Sequence, residues 1–323
     1  MLLKELCMAW GPSGREHNVS DIIKREADKL GLEYFTDALG NVIVHKKGTK
    51  TKIMLAAHID EIGVCATFID KNGFVRFSNI GGVYVKRLLN RRVQFENGVV
   101  GIIDTEADNK DLKMSKMYID IGAKDQKDAE SKISVGDMAV FLGDYIEQND
   151  VIISKALDNR AGAYVLLKAM EKVNTDNDLY FVFTVQEEVG LRGAKASAYS
   201  VDPEVALAVD VTDTGDTPNC DLMAVELGKG ACVKVMDRSI ITHPDIRCAL
   251  IETAKDNNID YQLEVMTAGG TDAGVIHQSR AGVKTGGISI PTRYIHSPSE
   301  MVSMKDLDSA VNLLTKFTER DDF

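Results

Sequence analysis

Phe-Val-Phe-Thr-Val-Gln-Glu-Glu-Val-Gly, residues 181–190 of the chain, is an apolar strand pattern that ends in two adjacent glutamates. Successive side chains of a strand point to opposite sides, so Glu187 and Glu188 are expected to project in different directions at a sheet edge. One carboxylate could then bind a metal ion while the other faces a substrate. For an isolated pair of glutamates, a solvated strand end is the competing interpretation.

Two further apolar strand patterns run into candidate ligands. Residues 53–61, Ile-Met-Leu-Ala-Ala-His-Ile-Asp-Glu, end a strand at His58 and place Asp60 two residues later on the same face. A carboxylate there could accept the second ring N–H of a metal-binding histidine and fix its tautomer. Residues 205–211, Val-Ala-Leu-Ala-Val-Asp-Val, close on Asp210. Taken singly, His58 is more typical of a core histidine and Asp210 of an ordinary strand end.

Two more polar residues lie where a helix begins or a strand ends. Asp158, in Lys-Ala-Leu-Asp-Asn-Arg-Ala-Gly (155–162), precedes an apolar helical pattern, and a helix cap is its alternative interpretation. His296, in Tyr-Ile-His-Ser-Pro (294–298), follows a strand pattern, and a loop histidine is its alternative. The carboxyl ends of strands in an open α/β sheet form a ligand crevice. Imidazole and carboxylate groups gathered there indicate divalent ions, and five protein ligands would suit two ions better than one zinc.

The motifs that contain these residues resemble those of one family of dinuclear aminopeptidases. They are Ala-His-x-Asp-Glu-Ile-Gly (57–63), Ala-Leu-Asp-Asn-Arg (156–160), Gln-Glu-Glu-Val-Gly (186–190), Val-Asp-Val (209–211) and Tyr-Ile-His-Ser-Pro (294–298). The family assembles as tetrahedral particles, includes glutamyl and deblocking aminopeptidases, and has members labelled endoglucanase M. The resemblance runs from the first helical pattern to the last.

The resemblance implies two divalent ions per chain, zinc or cobalt, with manganese as a further candidate. It implies these ligands: His58 and Asp210 at the first ion, Glu188 and His296 at the second, and Asp158 bridging both. Glu187 matches the family's general base, and Asp60 matches the aspartate that orients the histidine. The implied reaction removes N-terminal residues from peptides by an activated water. The implied assembly is a homo-oligomer, a dodecamer built from dimers.

Composition and charge argue against several classes of partner and location. The net charge of −11 argues against nucleic acid as a partner. No apolar run approaches the roughly 18 residues that a membrane span requires, and Met1–Leu6 is interrupted by charge too early for a secretory signal. The five cysteines are an odd, scattered set, which favours free thiols in a reducing cytoplasm.

Two parts of the chain differ in their secondary-structure patterns. Residues 1–63 and 152–323 alternate helical and strand patterns, which predicts an α/β sheet with helices on both faces. The resemblance implies that the sheet is mixed and of the dinuclear zinc-exopeptidase type. Residues 64–151 contain short strand patterns with Asn-Gly at 72–73 and 97–98, the strongest short hairpin signal. They predict an inserted small β-barrel domain. Because it leaves and rejoins the α/β domain beside the predicted site, the insert is expected to help close that site. The resemblance implies that the insert also supplies contacts in the oligomer.

Three alternatives to an aminopeptidase remain open from the residues themselves. A glycoside hydrolase needs two carboxylates and no metal, which leaves His58 and His296 without a role. An N-acyl amino acid deacylase could use the same centre, and a non-catalytic metal-binding module would have no need of Glu187.

The segment 268–274, Ala-Gly-Gly-Thr-Asp-Ala-Gly, is either a substrate-binding loop or a turn and helix cap. Arg238 is either near the substrate or an ordinary surface arginine.

Overall fold

The computed structural model describes all 323 residues and contains eight α-helices, seventeen strands and two short 3₁₀ turns. The helices are α1 (Leu2–Met8), α2 (His17–Lys29), α3 (Gln126–Glu130), α4 (Leu157–Lys172), α5 (Arg192–Val201), α6 (Pro244–Asp256), α7 (Ala273–Ile276) and α8 (Met304–Thr318). The 3₁₀ turns are Val85–Arg87 and Met114–Lys116. No helix combines the length and apolar character that crossing a membrane demands.

The strands divide between two sheets. Those of the large sheet are β1 (Glu33–Thr36), β2 (Val42–Lys46), β3 (Lys52–His58), β10 (Ile146–Gln148), β11 (Val151–Ser154), β12 (Asp178–Thr184), β13 (Val205–Thr212), β14 (Ala231–Met236), β15 (Tyr261–Val265), β16 (Lys284–Arg293) and β17 (Glu300–Ser303). Those of the barrel are β4 (Gly63–Ile69), β5 (Val75–Ile80), β6 (Arg92–Phe95), β7 (Val100–Thr105), β8 (Met117–Asp120) and β9 (Met138–Phe141).

The middle of the large sheet is parallel. Strand β3 pairs in parallel with β12 on one side and β13 on the other, and β13 pairs in parallel with β16. Antiparallel partners flank this centre, with β2 beside β12 and β17 beside β16. The carboxyl ends of β3, β12, β13 and β16 therefore open at the same edge, where an α/β sheet places its ligand crevice.

Helices cover both faces of this sheet, as the sequence predicts. Alternate residues of β3 show the division: Leu55 packs into the large core with α1, α2, α4, α6 and α8, whereas Met54 packs with α5 and α7 on the opposite face. Strand geometry requires this alternation, because neighbouring side chains point to opposite faces. The mixed α/β fold with helices on both sides is confirmed.

The six barrel strands close in the order β4-β5-β8-β7-β6-β9 around a core of their own. Asn-Gly turns join β4 to β5 and β6 to β7, as predicted, and one residue of each pair takes positive φ. Only the glycines do so, with φ of +89° at Gly73 and +88° at Gly98. In both hairpins a single glycine supplies the left-handed residue that the longer type of hairpin loop needs.

The chain rejoins the large sheet earlier than the predicted boundary at residue 151. Barrel strands end at Phe141, and β10 already pairs with β11 in the large sheet. A buried ion pair links the outgoing and returning segments, because Lys155 Nζ lies 2.7 and 2.6 Å from the two carboxylate oxygens of Glu61. The barrel is thereby attached beside the crevice.

Candidate metal centre

The structure brings the seven predicted site residues together at the open edge of the parallel strands. They occupy strand ends and one helix start: His58 ends β3, Asp60 follows it, Glu187 and Glu188 follow β12, Asp210 lies near the end of β13, His296 follows β16, and Asp158 lies in the first turn of α4. The side chains of His58, Asp60, Asp158 and Asp210 are buried, while His296 is partly exposed. One sheet edge therefore gathers residues separated by more than two hundred positions in the sequence.

Asp158 lies between two groups of candidate ligands. Its Oδ1 is 3.1 Å from His58 Nε2, and its Oδ2 is 3.3 Å from His296 Nε2. The His58 Nε2 atom is also 3.6 Å from Asp210 Oδ1, whereas His296 Nε2 is 3.2 Å from Glu188 Oε1. Each group of three offers ligand atoms that lie within 4.8 Å of one another, and Asp158 belongs to both groups.

Glu187 lies beside the first group but outside both. Its Oε2 is 3.8 Å from His58 Nε2, and its side chain is only 11% exposed. Burial, opposed by His58 and reinforced by carboxylates such as Asp210, raises the pKa of Glu187 well above its usual range. A carboxyl group with this environment is suited to hold and release a proton.

Asp60 contacts both the histidine and the loop that carries the two glutamates. Its Oδ1 lies 3.4 Å from His58 Nδ1, a contact too long and misaligned for a good hydrogen bond, and that buried nitrogen has no other partner. The same carboxylate accepts backbone N–H groups from Glu187 at 3.0 Å and Glu188 at 3.2 Å, and the Ser13 hydroxyl at 2.6 Å. Asp60 therefore faces His58 and also holds the following loop in place.

Two further carboxyl groups, those of Glu16 and Asp272, are buried near the site. Asp272 belongs to the 268–274 segment, whereas Glu16 lies in none of the sequence motifs. Glu16 Oε1 accepts the N–H of Gln186 at 3.1 Å and so links the N-terminal segment to the glutamate loop. Asp272 accepts the Thr184 hydroxyl at 2.5 Å rather than capping helix α7 with its side chain. Burial raises the pKa of Asp272 to about 7. Neither contact has a sequence signal, because each joins residues far apart in the chain.

The charge balance of the centre fits divalent cations. Buried carboxyl groups outnumber the two imidazoles, and isolated charges in such a setting are unfavourable unless they are paired or bind a metal. Although burial opposes the charge of His296, Asp158 and Glu188 raise its pKa to about 12. Burial also opposes ionisation of Asp158, yet His296 and His58 lower its pKa. Imidazole and carboxylate are the ligands that zinc, cobalt and manganese share.

A cavity of about 720 Å³ opens onto this centre. Its lining includes both candidate ligand groups, Gly82, Tyr84 and Arg87 from the barrel, and residues 268–270 of the glycine-rich loop. Arg238 is exposed and does not line the cavity. A cavity of this size can hold a short peptide segment beside the metal ligands.

Comparison with known proteins finds similarity over most of the chain. The M42 glutamyl aminopeptidase family model matches residues 40–313. A putative aminopeptidase of Acetivibrio thermocellus is 52% identical over 319 residues, which cover 98% of this chain and 97% of that protein. The solved structure of an aminopeptidase from the archaeon Desulfurococcus kamchatkensis has a TM-score of 0.95 and 41% identity, covering 98% of this chain and 93% of that one.

A second solved structure is described by its assembly. The TET1 peptidase of Pyrococcus horikoshii, which can assemble into a tetrahedron or a large octahedral shell, has a TM-score of 0.89 and 32% identity, with 98% of both chains covered. The family match spans most of the chain, and the relatives match over nearly their full lengths. The chain therefore belongs to the M42 family of metal-dependent aminopeptidases.

Proposed function

We propose that this metal-dependent aminopeptidase binds two divalent ions that share Asp158. The observation that carries the proposal is the position of that carboxylate, with one oxygen 3.1 Å from His58 Nε2 and the other 3.3 Å from His296 Nε2. His58 and Asp210 complete one site; Glu188 and His296 complete the other. We propose zinc or cobalt as the ions, with manganese as a third candidate, since all three accept imidazole and carboxylate ligands.

Glu187 is the proton carrier of the proposed reaction. When bound, the ions would polarise the scissile carbonyl and lower the pKa of the attacking water towards roughly 7. Glu187 takes the proton from that water and delivers it to the departing amine. The pKa of Glu187 would be lowered again by bound cations, since opposite charges favour the ionised carboxylate. Asp60 keeps His58 and the Glu187 loop in register during this transfer.

The proposed substrate is a peptide with a free N-terminus. The carboxylate-rich centre lines the cavity, and carboxylate groups attract the positively charged terminal amine of a peptide, which an internal peptide bond lacks. The histidines His58 and His296 lie among the carboxylates, an arrangement that a two-carboxylate glycosidase does not require. Hydrolysis of aminoacyl-nitroanilides but not of N-acyl amino acids distinguishes this activity from deacylation.

The cysteines support a cytoplasmic location, which we also propose. All five are free thiols, and Cys7 and Cys232 are buried. Burial raises the pKa of Cys7 to about 12, which keeps it in the unreactive thiol form. Buried structural thiols of this kind are typical of a reducing compartment.

Three substitutions separate proton transfer from metal binding. Glu187→Gln keeps the size of the side chain but removes the base, so kcat should fall about 10²- to 10⁴-fold while both ions are retained. Glu188→Gln should lose the second ion, because a neutral amide is a poorer ligand than a carboxylate. Asp158→Asn should lose the most metal, since it serves both ions. Steady-state kinetics and elemental analysis measure the two effects in parallel.

The matched control for these variants is Glu226→Gln, an exposed glutamate outside the cavity lining. It should leave kcat and metal content unchanged. Loss of metal from Glu187→Gln together with retention by Glu188→Gln would show that the two glutamates have been assigned the wrong way round.

We further propose that the barrel closes the metal centre. The segment that follows β5 packs against two of the proposed ligands. A Cβ added at Gly82 would lie 2.7 Å from both Cε1 and Nδ1 of His296, and one at Gly81 would lie 2.9 Å from Glu188 Oε2. Only glycine allows the backbone to approach the ligands this closely.

The Gly82→Ala substitution tests directly whether the segment after β5 closes the metal centre. The added methyl group must displace the imidazole of His296, so the variant should lose roughly 10- to 100-fold in kcat/KM and bind the second ion more weakly. Gly270→Ala is the control, because it lines the same cavity but its Cβ would meet only the Ser239 side chain, at 3.0 Å or more. Equal metal affinity in Gly82→Ala and wild type would contradict closure by this segment.

The proposed assembly is a dodecamer of this chain, as in the tetrahedral particles for which the family is known, with the barrel supplying contacts. Wild-type protein should scatter light as a particle of about twelve chains, roughly 12 times the mass of one chain. Replacing residues 64–142 by a short linker is feasible, since Gly63 pairs with Val140 across the barrel entrance. That variant should dissociate into smaller species, whereas Glu187→Gln should keep the full particle size. A monomeric wild type with full activity would contradict the assembly.

A further inference from the structure

Glu300 is a buried carboxylate that contacts the backbone of two proposed ligands without reaching their side chains. It is the first residue of β17 and is only 2% exposed. Its Oε2 accepts the backbone N–H of Asp158 at 2.9 Å, and its Oε1 accepts the backbone N–H of His296 at 2.9 Å. One side chain therefore joins the start of helix α4 to the loop after β16.

Both contacted residues have backbone conformations that regular secondary structure does not fix. His296 is in the left-handed region, with φ of +60°. Asp158 has φ of −78° and ψ of 106°, which are not helical values, although it lies in the first turn of α4. The first N–H groups of a helix have no partner within the helix. A buried N–H without a partner is destabilising, so Glu300 both satisfies these groups and fixes their positions.

The two ligand groups depend on Glu300 to different extents. In the first group, His58 and Asp210 lie on neighbouring parallel strands, whose pairing sets the distance between them. In the second group, His296 is on a loop and Asp158 is at a helix start, and Glu300 is the shared contact of their backbones.

We propose that Glu300 is a positioning residue for the second metal site, setting the 3.3 Å approach of His296 Nε2 to Asp158 Oδ2. This inference rests on the proposed two-ion centre and adds a residue to its support. Groups that orient metal ligands typically change metal affinity or activity by about 10- to 100-fold when they are altered. Loss of the Glu300 contacts should therefore weaken the ion held by Asp158, Glu188 and His296 more than the ion held with His58 and Asp210.

Asp306 offers a matched control for a general effect on folding. It is also fully buried, and its two oxygens accept the backbone N–H groups of Gly228 and Gly230, each at 2.7 Å. Those glycines belong to a loop that carries no proposed ligand. Asp306→Asn thus removes the same kind of carboxylate from the same kind of contact at a distance from the metal centre.

The test measures Zn²⁺ binding to the metal-free full-length chain by competition with a chromophoric chelator. Wild type should bind two ions in two resolvable steps. Glu300→Gln keeps one acceptor but turns an NH₂ group towards the other backbone N–H, so one step should weaken about 10- to 100-fold and the other less than about threefold. Asp306→Asn should match wild type in both steps. Thermal unfolding of the metal-free proteins measures the purely structural effect of each substitution.

The outcomes separate the inference from the two-ion centre on which it rests. A wild type that binds one ion contradicts the centre itself. If wild type binds two ions, unchanged affinities in Glu300→Gln, or equal weakening of both steps, overturn the role of Glu300. If Asp306→Asn weakens one binding step as much as Glu300→Gln does, the proposed role of Glu300 is overturned as well. If Glu300→Gln does not fold, Glu300→Asp is measured by the same criteria, since it retains the charge but is too short to reach both N–H groups.

Discussion

The contact of Asp158 with two histidines is the constraint on which the rest of the centre depends. One of its oxygens lies against His58 and the other against His296, so neither histidine can move without disturbing the shared carboxylate. His58 comes from the parallel centre of the sheet, and His296 comes from the loop after β16. The fold must therefore fix the relative positions of a strand, a helix start and a loop to within a few tenths of an ångström. Metal ligation demands this precision.

Buried carboxyl groups that accept hydrogen bonds from backbone N–H groups fix these relative positions. Asp60 holds the loop of Glu187 and Glu188, Glu16 holds the residue before them, and Glu300 holds Asp158 and His296. Buried backbone N–H groups need such acceptors, and these hydrogen bonds hold loops that no sheet or helix fixes. The segment after β5 also lies against these side chains, since a Cβ added at Gly82 would be 2.7 Å from His296 and one at Gly81 would be 2.9 Å from Glu188.

The sequence predicts the parts of this arrangement that follow from periodicity. Apolar strands that end in polar residues identify His58 and Asp210, since the carboxyl ends of parallel strands meet at one edge. The contacts of Glu16 with Gln186 and of Glu300 with Asp158 are not predictable from the sequence, because they span 170 and 142 residues and reach backbone groups with no residue-type signature. Asn-Gly predicts the positions of the barrel turns but not their conformation, since only Gly73 and Gly98 take positive φ. The early return of the chain at β10 has no local signal because Ile146–Gln148 is short and exposed.

Anomalous diffraction from crystals grown with Zn²⁺ tests the central claim most directly. Two peaks per chain are expected, both within about 2.0–2.2 Å of oxygens of Asp158, since that is the usual zinc–carboxylate distance. One peak should also contact His58 and Asp210, and the other Glu188 and His296. A single peak, or two peaks of which one does not contact Asp158, would contradict a centre built on a shared carboxylate.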